Sequence, residues 1–150
     1  MLDRAVAGII YFSLGGNFRS ADLPESTLNA FVNVFSSMRD VLVMWKFETV
    51  DLKERHAHNI VIGPSMPQQE ILSHKNLRAF ITHGGLLSLM EAVHYGKPVI
   101  GLPIFNDQKF NMAQASSQGY GITLDYGNIT ESSLQSAIDA IFNETSYREN

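Results

Sequence analysis

The sequence predicts an α/β fold: a doubly wound parallel sheet with helices on both faces. Three observations predict it. Short apolar runs rich in β-branched residues alternate with stretches of helical periodicity along all 150 residues. Those runs are apolar throughout rather than alternating, as strands buried on both faces must be. The residues able to do chemistry (Ser13, Lys46, Ser65, His83 and Asp107) fall at or just past predicted strand ends. That is the edge where open α/β sheets hold their ligands.

Each element has its own signal. Val6–Phe12 is a buried strand, followed by a Gly-, Asn- and Ser-containing loop from Ser13 to Leu23. Pro24 stands at a helix start, with Leu28, Phe31, Val32 and Phe35 at helical spacing. Val41–Phe47 is the second strand, and it carries the sole tryptophan, Trp45, a core residue. Glu48–His58 is polar and without period, hence a surface loop. Asn59–Gly63 is a third strand, and Pro67 opens a short helix with Ile71 and Leu72. Arg78–Thr82 and Pro98–Leu102 are strands flanking a helix over Leu86–Tyr95. Asn106–Ser117 is a helix and Gly121–Leu124 a short strand. Thr130–Asn143 is a last helix, with a cap at Thr130 and Leu134, Ala137, Ile138 and Ile141 along one face. Right-handed crossovers between such strands give double winding.

Composition narrows the function. The chain is 45% hydrophobic with a net charge of −4, enough for one domain with a core. Acids and bases are interspersed, with no basic patch for nucleic acid. There is no cysteine, so thiol and disulfide chemistry are excluded. No apolar run reaches the roughly 18 residues of a membrane span, and the opening MLDRAVAGII carries no signal-peptide pattern. His56 and His58 form an H-x-H pair without nearby ligand spacing, so a solvated loop is expected, and His74 and His94 are expected at the surface. No Asp-x-Asp motif offers to hold a metal–diphosphate.

The densest chemistry lies in Phe80–Gln108, FITHGGLLSLMEAVHYGKPVIGLPIFNDQ. A strand ends at His83, and Gly84 and Gly85 permit close backbone approach to a ligand. The helix beginning near Leu86 presents free N–H groups and the positive end of its dipole, which suit a phosphate. His83 offers a ring N–H to a diphosphate oxygen, and Ser88 a hydroxyl one turn into the helix. Glu91 lies eight residues past His83, about two turns on, and its carboxylate can accept from a ribose diol. Asp107 and Gln108 sit past the next strand with polar groups for sugar hydroxyls, while Asn106 or Asp107 can also open the next helix. Asn111 is placed to support that loop.

This wording resembles the signature of the UDP-glycosyltransferases, the family that includes the animal UDP-glucuronosyltransferases. The matching pieces are THGG, Glu91-Ala92, Gly96-x-Pro98, Pro103-x-Phe105 and Asp107-Gln108. YFSLGG (Tyr11–Gly16), VMWKFE (Val43–Glu48) and MPQQEIL (Met66–Leu72) extend the resemblance over nearly the whole chain. The resemblance implies the Rossmann-like C-terminal half of a GT-B glycosyltransferase. It implies a single donor-binding domain over 1–150, with an N-terminal acceptor domain and a C-terminal membrane helix outside this sequence. By the same resemblance, Ser13, His83, Gly84, Gly85 and Ser88 contact the diphosphate; Lys46, Ser65, Gln68 and Glu91 the uridine; Asp107 and Gln108 the sugar. Where the family has Trp-Leu-Pro-Gln, this chain has Ser65-Met66-Pro67-Gln68, so the aromatic base platform is replaced by serine.

The function so implied is transfer of a hexose or glucuronic acid from a UDP-sugar to small lipophilic acceptors with inversion. UDP-glucose or UDP-glucuronic acid is the donor substrate, with no cofactor and no metal. The catalytic base is expected in the acceptor domain, so this chain contributes none and is expected to be inactive alone. The resemblance places the full-length protein in the endoplasmic reticulum lumen, membrane-anchored, and leaves room for a homodimer; Asn128-Ile129-Thr130 and Asn143-Glu144-Thr145 are glycosylation triplets that fit a lumen. LLSLMEAV resembles insect members, which favours glucose. Two other classes remain: an NAD-dependent oxidoreductase, against which stands SLGGN in place of Gly-x-Gly-x-x-Gly, and a non-catalytic nucleotide-binding module.

Overall fold

The apolar runs become strands because only a sheet sandwiched between helices buries both their faces. The computed structural model describes residues 7–14, 24–46, 58–63, 66–103 and 106–143. Six strands, β1 (Ile9–Ser13), β2 (Leu42–Lys46), β3 (Ile60–Gly63), β4 (Leu77–Thr82), β5 (Val99–Gly101) and β6 (Gly121–Thr123), form one sheet. The order is β3-β2-β1-β4-β5-β6 and every adjacent pair is parallel. The helices are α1 (Glu25–Ser37), α2 (Gln68–Ser73), α3 (Leu86–His94), α4 (Asn106–Ser117) and α5 (Glu131–Asn143).

The period-2 alternation of each strand sorts side chains between two cores. Ile10, Phe12, Trp45 and Ile81 face α1 and α5, where they meet Phe31, Phe35, Leu134 and Ile138. Ile9, Tyr11, Phe80 and Val99 face the opposite layer, with Ile71 and Leu72 of α2, Leu89 and Ala92 of α3, and Met112 of α4. Helices on both faces of one parallel sheet make the fold doubly wound, as expected. Trp45 is fully buried, stacked on Phe12 with ring centroids 5.0 Å apart. Burying an aromatic ring of this size contributes on the order of 2–3 kcal/mol.

The cap expected at Thr130 is reciprocal. Ser133 N donates to Thr130 Oγ1 and Thr130 N donates to Ser133 Oγ, both at 3.0 Å. This is the capping-box geometry with serine in the third position, and such a cap is worth about 1 kcal/mol. Asn59 was expected to begin a strand. Instead it precedes β3, and its buried Nδ2 donates to carbonyls of Phe35 and Val41, tying the end of α1 to the start of β2. A three-residue 3₁₀ turn at Tyr126–Asn128, unmarked by hydrophobic period, is held by Gly127 N donating to Asp125 Oδ1 at 3.1 Å. His94 is exposed as expected, whereas His74 is half-buried and its Nδ1 accepts from Asn76 N at 3.0 Å.

Strand order positions the site. From β1 the chain winds outward through β2 to β3, then returns to place β4 on the other side of β1. The carboxyl ends of β1 and β4 mark the point where the winding reverses, the place where doubly wound sheets bind ligands. Ser13 and Thr82 are register partners at that point.

Candidate functional site

The strand pairing sets Ser13, buried at 2% exposure, beside the β4 end from which His83, Gly84 and Gly85 follow. Gly84 adopts φ +91°, a conformation costly for any residue with a side chain. Its backbone also lies tight against α4: a Cβ there would stand 2.9 Å from Met112 Cγ. Asn111 Nδ2 donates to Gly84 O at 3.1 Å, and Gly84 N donates to Thr82 Oγ1 at 3.4 Å. The turn is thus clamped from α4 and from β4. Asn111 holds the glycine turn rather than the Asp107–Gln108 loop expected from sequence.

Gly85 is the N-cap of α3 and supplies no side-chain cap. Leu89 N makes the first backbone bond of the helix, to Gly85 O at 3.0 Å. The N–H groups of Leu86, Leu87 and Ser88 precede any intrahelical acceptor, and the helix dipole concentrates positive potential there. No acidic residue occupies this first turn. His83 stands half-buried beside it. Burial lowers the His83 pKa below its ordinary value, and the Asp107 carboxylate opposes that shift. A neutral imidazole at this turn donates one hydrogen bond without adding full charge to the resting site. Its Nδ1 is 3.4 Å from Thr82 Oγ1.

A second cluster lies on the same sheet face, toward α2. Gln68, the first residue of α2, places Nε2 3.4 Å from Glu91 Oε1 and 3.5 Å from Ser88 Oγ. Tyr11, on β1, donates its hydroxyl to Gln68 Oε1 at 3.3 Å. The other carboxylate oxygen, Glu91 Oε2, is buried and has no hydrogen-bond partner. A buried, unsatisfied acceptor costs about 1–3 kcal/mol, and a ligand hydroxyl would relieve that cost.

The structure therefore brings together Ser13, His83, Gly84, Gly85, Ser88, Glu91 and Gln68 around the start of α3. Lys46 is the half-buried last residue of β2, beyond β1 from α3. Asp107 and Gln108, neighbours in sequence, part company. Asp107 is exposed on the first turn of α4, whereas Gln108 is buried at 7% exposure, its backbone carbonyl close beneath Gly84. Ser65, Gly16, His56 and Phe105 lie outside the described residues. Tyr11 and Thr82 are participants that sequence reading missed. Tyr11 read as strand interior and Thr82 as the strand end before His83, and only the sheet parity shows that Tyr11 faces α2. Among the described residues, no group of three or more His, Asp or Glu is placed to hold a metal, and no helix is long and apolar enough to cross a membrane.

Comparison with known proteins bears on this arrangement. The chain is 37% identical over 148 residues to UDP-glucosyltransferase 2 of Dactylopius coccus, covering 99% of this chain and 28% of that protein. It is 32% identical to UDP-glucuronosyltransferase 2B14 of Oryctolagus cuniculus, covering 95% of this chain and 26% of that protein. The chain thus spans little more than a quarter of the length of these relatives. Among solved structures, the UDP complex of UDP-glucose: anthocyanidin 3-O-glucosyltransferase superimposes with a TM-score of 0.82 at 21% identity, over 99% of this chain and 34% of that one. The fold is that of one half of a GT-B glycosyltransferase. The model of the family described as UDP-glucoronosyl and UDP-glucosyl transferase matches residues 4–150, so the chain belongs to that family.

Proposed function

We propose that this chain is the donor-binding unit of a UDP-glycosyltransferase. The observation that carries the reading is Glu91 Oε2: a buried carboxylate oxygen without a partner, on the helix whose free N-terminus adjoins His83. A nucleoside diphosphate satisfies both features at once. Its ribose hydroxyls donate to Glu91, and its phosphates take the N–H groups of α3, the His83 ring N–H and the loop after Ser13. The uracil lies toward Gln68. Asp107 accepts from sugar hydroxyls at the far end.

In this reading the chain holds the sugar for in-line attack by an acceptor hydroxyl, and inversion follows. Pre-placed donors at the diphosphate stabilise the charge that builds on departing UDP. His83 is suited to that work because it begins neutral and becomes a better partner as charge accumulates. The acceptor, a small lipophilic alcohol or phenol, and its activating base belong to chain outside this sequence. Relatives carry names for glucose, glucuronic acid and galactose transfer, so the family alone leaves the sugar open. The insect-like wording of α3 favours UDP-glucose. Residence in the endoplasmic reticulum lumen, anchored to the membrane, is part of the proposal; the exposed Asn128 acceptor triplet supports it.

Titration with UDP, uridine and NAD tests the reading. UDP is expected to bind and NAD not. His83→Ala should weaken UDP binding by about 1.5–3 kcal/mol, the range for a bond to a charged group, and barely change uridine binding. Binding of NAD in place of UDP would overturn the reading. Equal losses for UDP and uridine would make His83 structural.

A further inference from the structure

Tyr11 opens the YFSLGG piece of the resemblance but is given no role by it, and inside a strand it reads as core. The structure gives it a second property. Its ring is 1% exposed and stacked on Phe80, with centroids 5.2 Å apart and planes 15° from parallel. Its hydroxyl nevertheless reaches out of the core to Gln68 Oε1, 57 positions along the chain. A ring stacked in the core on a central strand is well supported. Gln68 has no such support. It opens a helix of six residues whose N-cap, Pro67, makes no side-chain cap bond.

The polarity of the contacts matters. An amide side chain has an accepting end and a donating end, and its hydrogen-bond partners decide which points where. Burial keeps the Tyr11 hydroxyl protonated, and the Glu91 charge adds to that effect. Tyr11 therefore has an O–H to donate. Donation to Gln68 Oε1 turns Nε2 toward Glu91 Oε1 and Ser88 Oγ. All three Gln68 contacts are long, 3.3 Å to Tyr11, 3.4 Å to Glu91 and 3.5 Å to Ser88, so the amide is held by them jointly rather than by any one alone. With Oε1 engaged, Glu91 is left with Oε2 as its free acceptor. One chain of polar groups then runs from Tyr11 on β1, through Gln68, to α3.

We propose that Tyr11 is a positioning residue for the nucleotide's ribose: its hydroxyl fixes the Gln68 amide, and through it the Glu91 carboxylate, so that Oε2 is presented to a vicinal diol. The proposal rests on the donor-site reading above. It adds that ribose recognition is set from the sheet rather than from the helix that carries the carboxylate.

The test is Tyr11→Phe, which keeps the stacked ring and deletes the hydroxyl. Binding of UDP and of 2′-deoxy-UDP is measured by calorimetry for both proteins. Tyr11→Phe should lower UDP affinity about three- to tenfold, as loss of one neutral hydrogen bond does, and change 2′-deoxy-UDP affinity less than twofold. Discrimination between the two nucleotides should shrink accordingly. Gln68→Met, with the tyrosine intact, should shrink it in the same way, and adding Tyr11→Phe to Gln68→Met should cost nothing more. Equal losses for both nucleotides, full additivity, or unchanged discrimination in Gln68→Met would each overturn the proposal. Failure of the unmodified chain to bind either nucleotide would sink the donor-site reading instead. The Gln68 side-chain amide resonances of the unliganded chain then decide the matter: Tyr11→Phe should shift and broaden them, and no change would remove Tyr11's role.

Discussion

Gln68 at the start of α2 donates to Glu91 in the middle of α3, across 23 positions of sequence and 3.4 Å of space. The bond joins two motifs that are separate words in the sequence. It engages one oxygen of the carboxylate and leaves the other buried and unpartnered. Such an arrangement costs stability in the free chain and is relieved by a hydroxyl donor. From it and from the His83 turn, four expectations follow for the bench.

Glu91→Ala should separate stability from binding. It removes a buried acceptor that has no partner, so the melting temperature should hold or rise. UDP binding should weaken by about 1.5–3 kcal/mol. A clear drop in melting temperature with unchanged UDP affinity would make Glu91 a structural residue.

His83 should couple pH to both stability and binding. Burial places its folded pKa below the ordinary 6.5, so the unfolded chain binds the proton more readily. Its contribution is therefore fully present above pH ~6.5 and is lost as pH falls from there through the folded value. His83→Gln should flatten that part of the stability profile. A bound diphosphate favours the imidazolium and raises the pKa again. UDP-glucose, whose diphosphate does not titrate near neutrality, should then take up protons on binding near pH ~6. Calorimetry in two buffers of different ionisation enthalpy reads this directly. Identical uptake by His83→Gln would move the coupling to another group.

Asp107 and Gln108 should behave differently despite being neighbours. Asp107 is exposed, so Asp107→Ala should leave the fold intact and weaken UDP-glucose binding while sparing UDP. Gln108 is buried against the Gly84 turn, so Gln108→Ala should lower the melting temperature and weaken UDP as well. Its expected cost, about 1–3 kcal/mol, is that of unpairing a buried polar group. If both variants affected only the sugar nucleotide, the two side chains would share one role.

Gly84→Ala should destabilise the chain and damage the site together. The φ of +91° and a Cβ 2.9 Å from Met112 Cγ and 3.2 Å from Gln108 O leave no room for a methyl group. Strain of this kind costs about 1–3 kcal/mol, or several degrees in melting temperature for a domain of this size. Gly96→Ala is the comparison: φ is +67° there, but nothing lies within 4 Å, so only the backbone term applies. Equal melting temperatures for the two variants would show that α4 yields to the methyl group.

Much of this molecule is legible in one dimension. The strands and helices are set by local signals: β-branched apolar runs, the Pro24 and Thr130 helix starts, and the helical spacing of Phe31 and Phe35. Observed boundaries fall within a residue or two of those signals, save that β1 starts at Ile9 where Val6 was expected. The His83-Gly84-Gly85 turn before α3 was legible because a strand end, two glycines and a helix start follow one another directly. Asn59 and the Tyr126–Asn128 turn were not, because single side-chain-to-backbone bonds leave no period.

The sequence by itself determined the fold class and the chemistry on offer: a histidine at a strand end, a free helix N-terminus, a carboxylate two turns on. Those are properties of local backbone and residue type. Only the tertiary structure decided which of these groups meet. Strand order put Ser13 beside Thr82, at the point where the winding reverses. Sheet parity aimed Tyr11 at Gln68, and the packing of α2 beside α3 set Gln68 against Glu91. The same packing buried Gln108 and left Asp107 in solvent. Hydrogen-bond partners far apart in sequence depend on which faces are driven together by burial, and that is a sum over the whole core rather than a property of any segment.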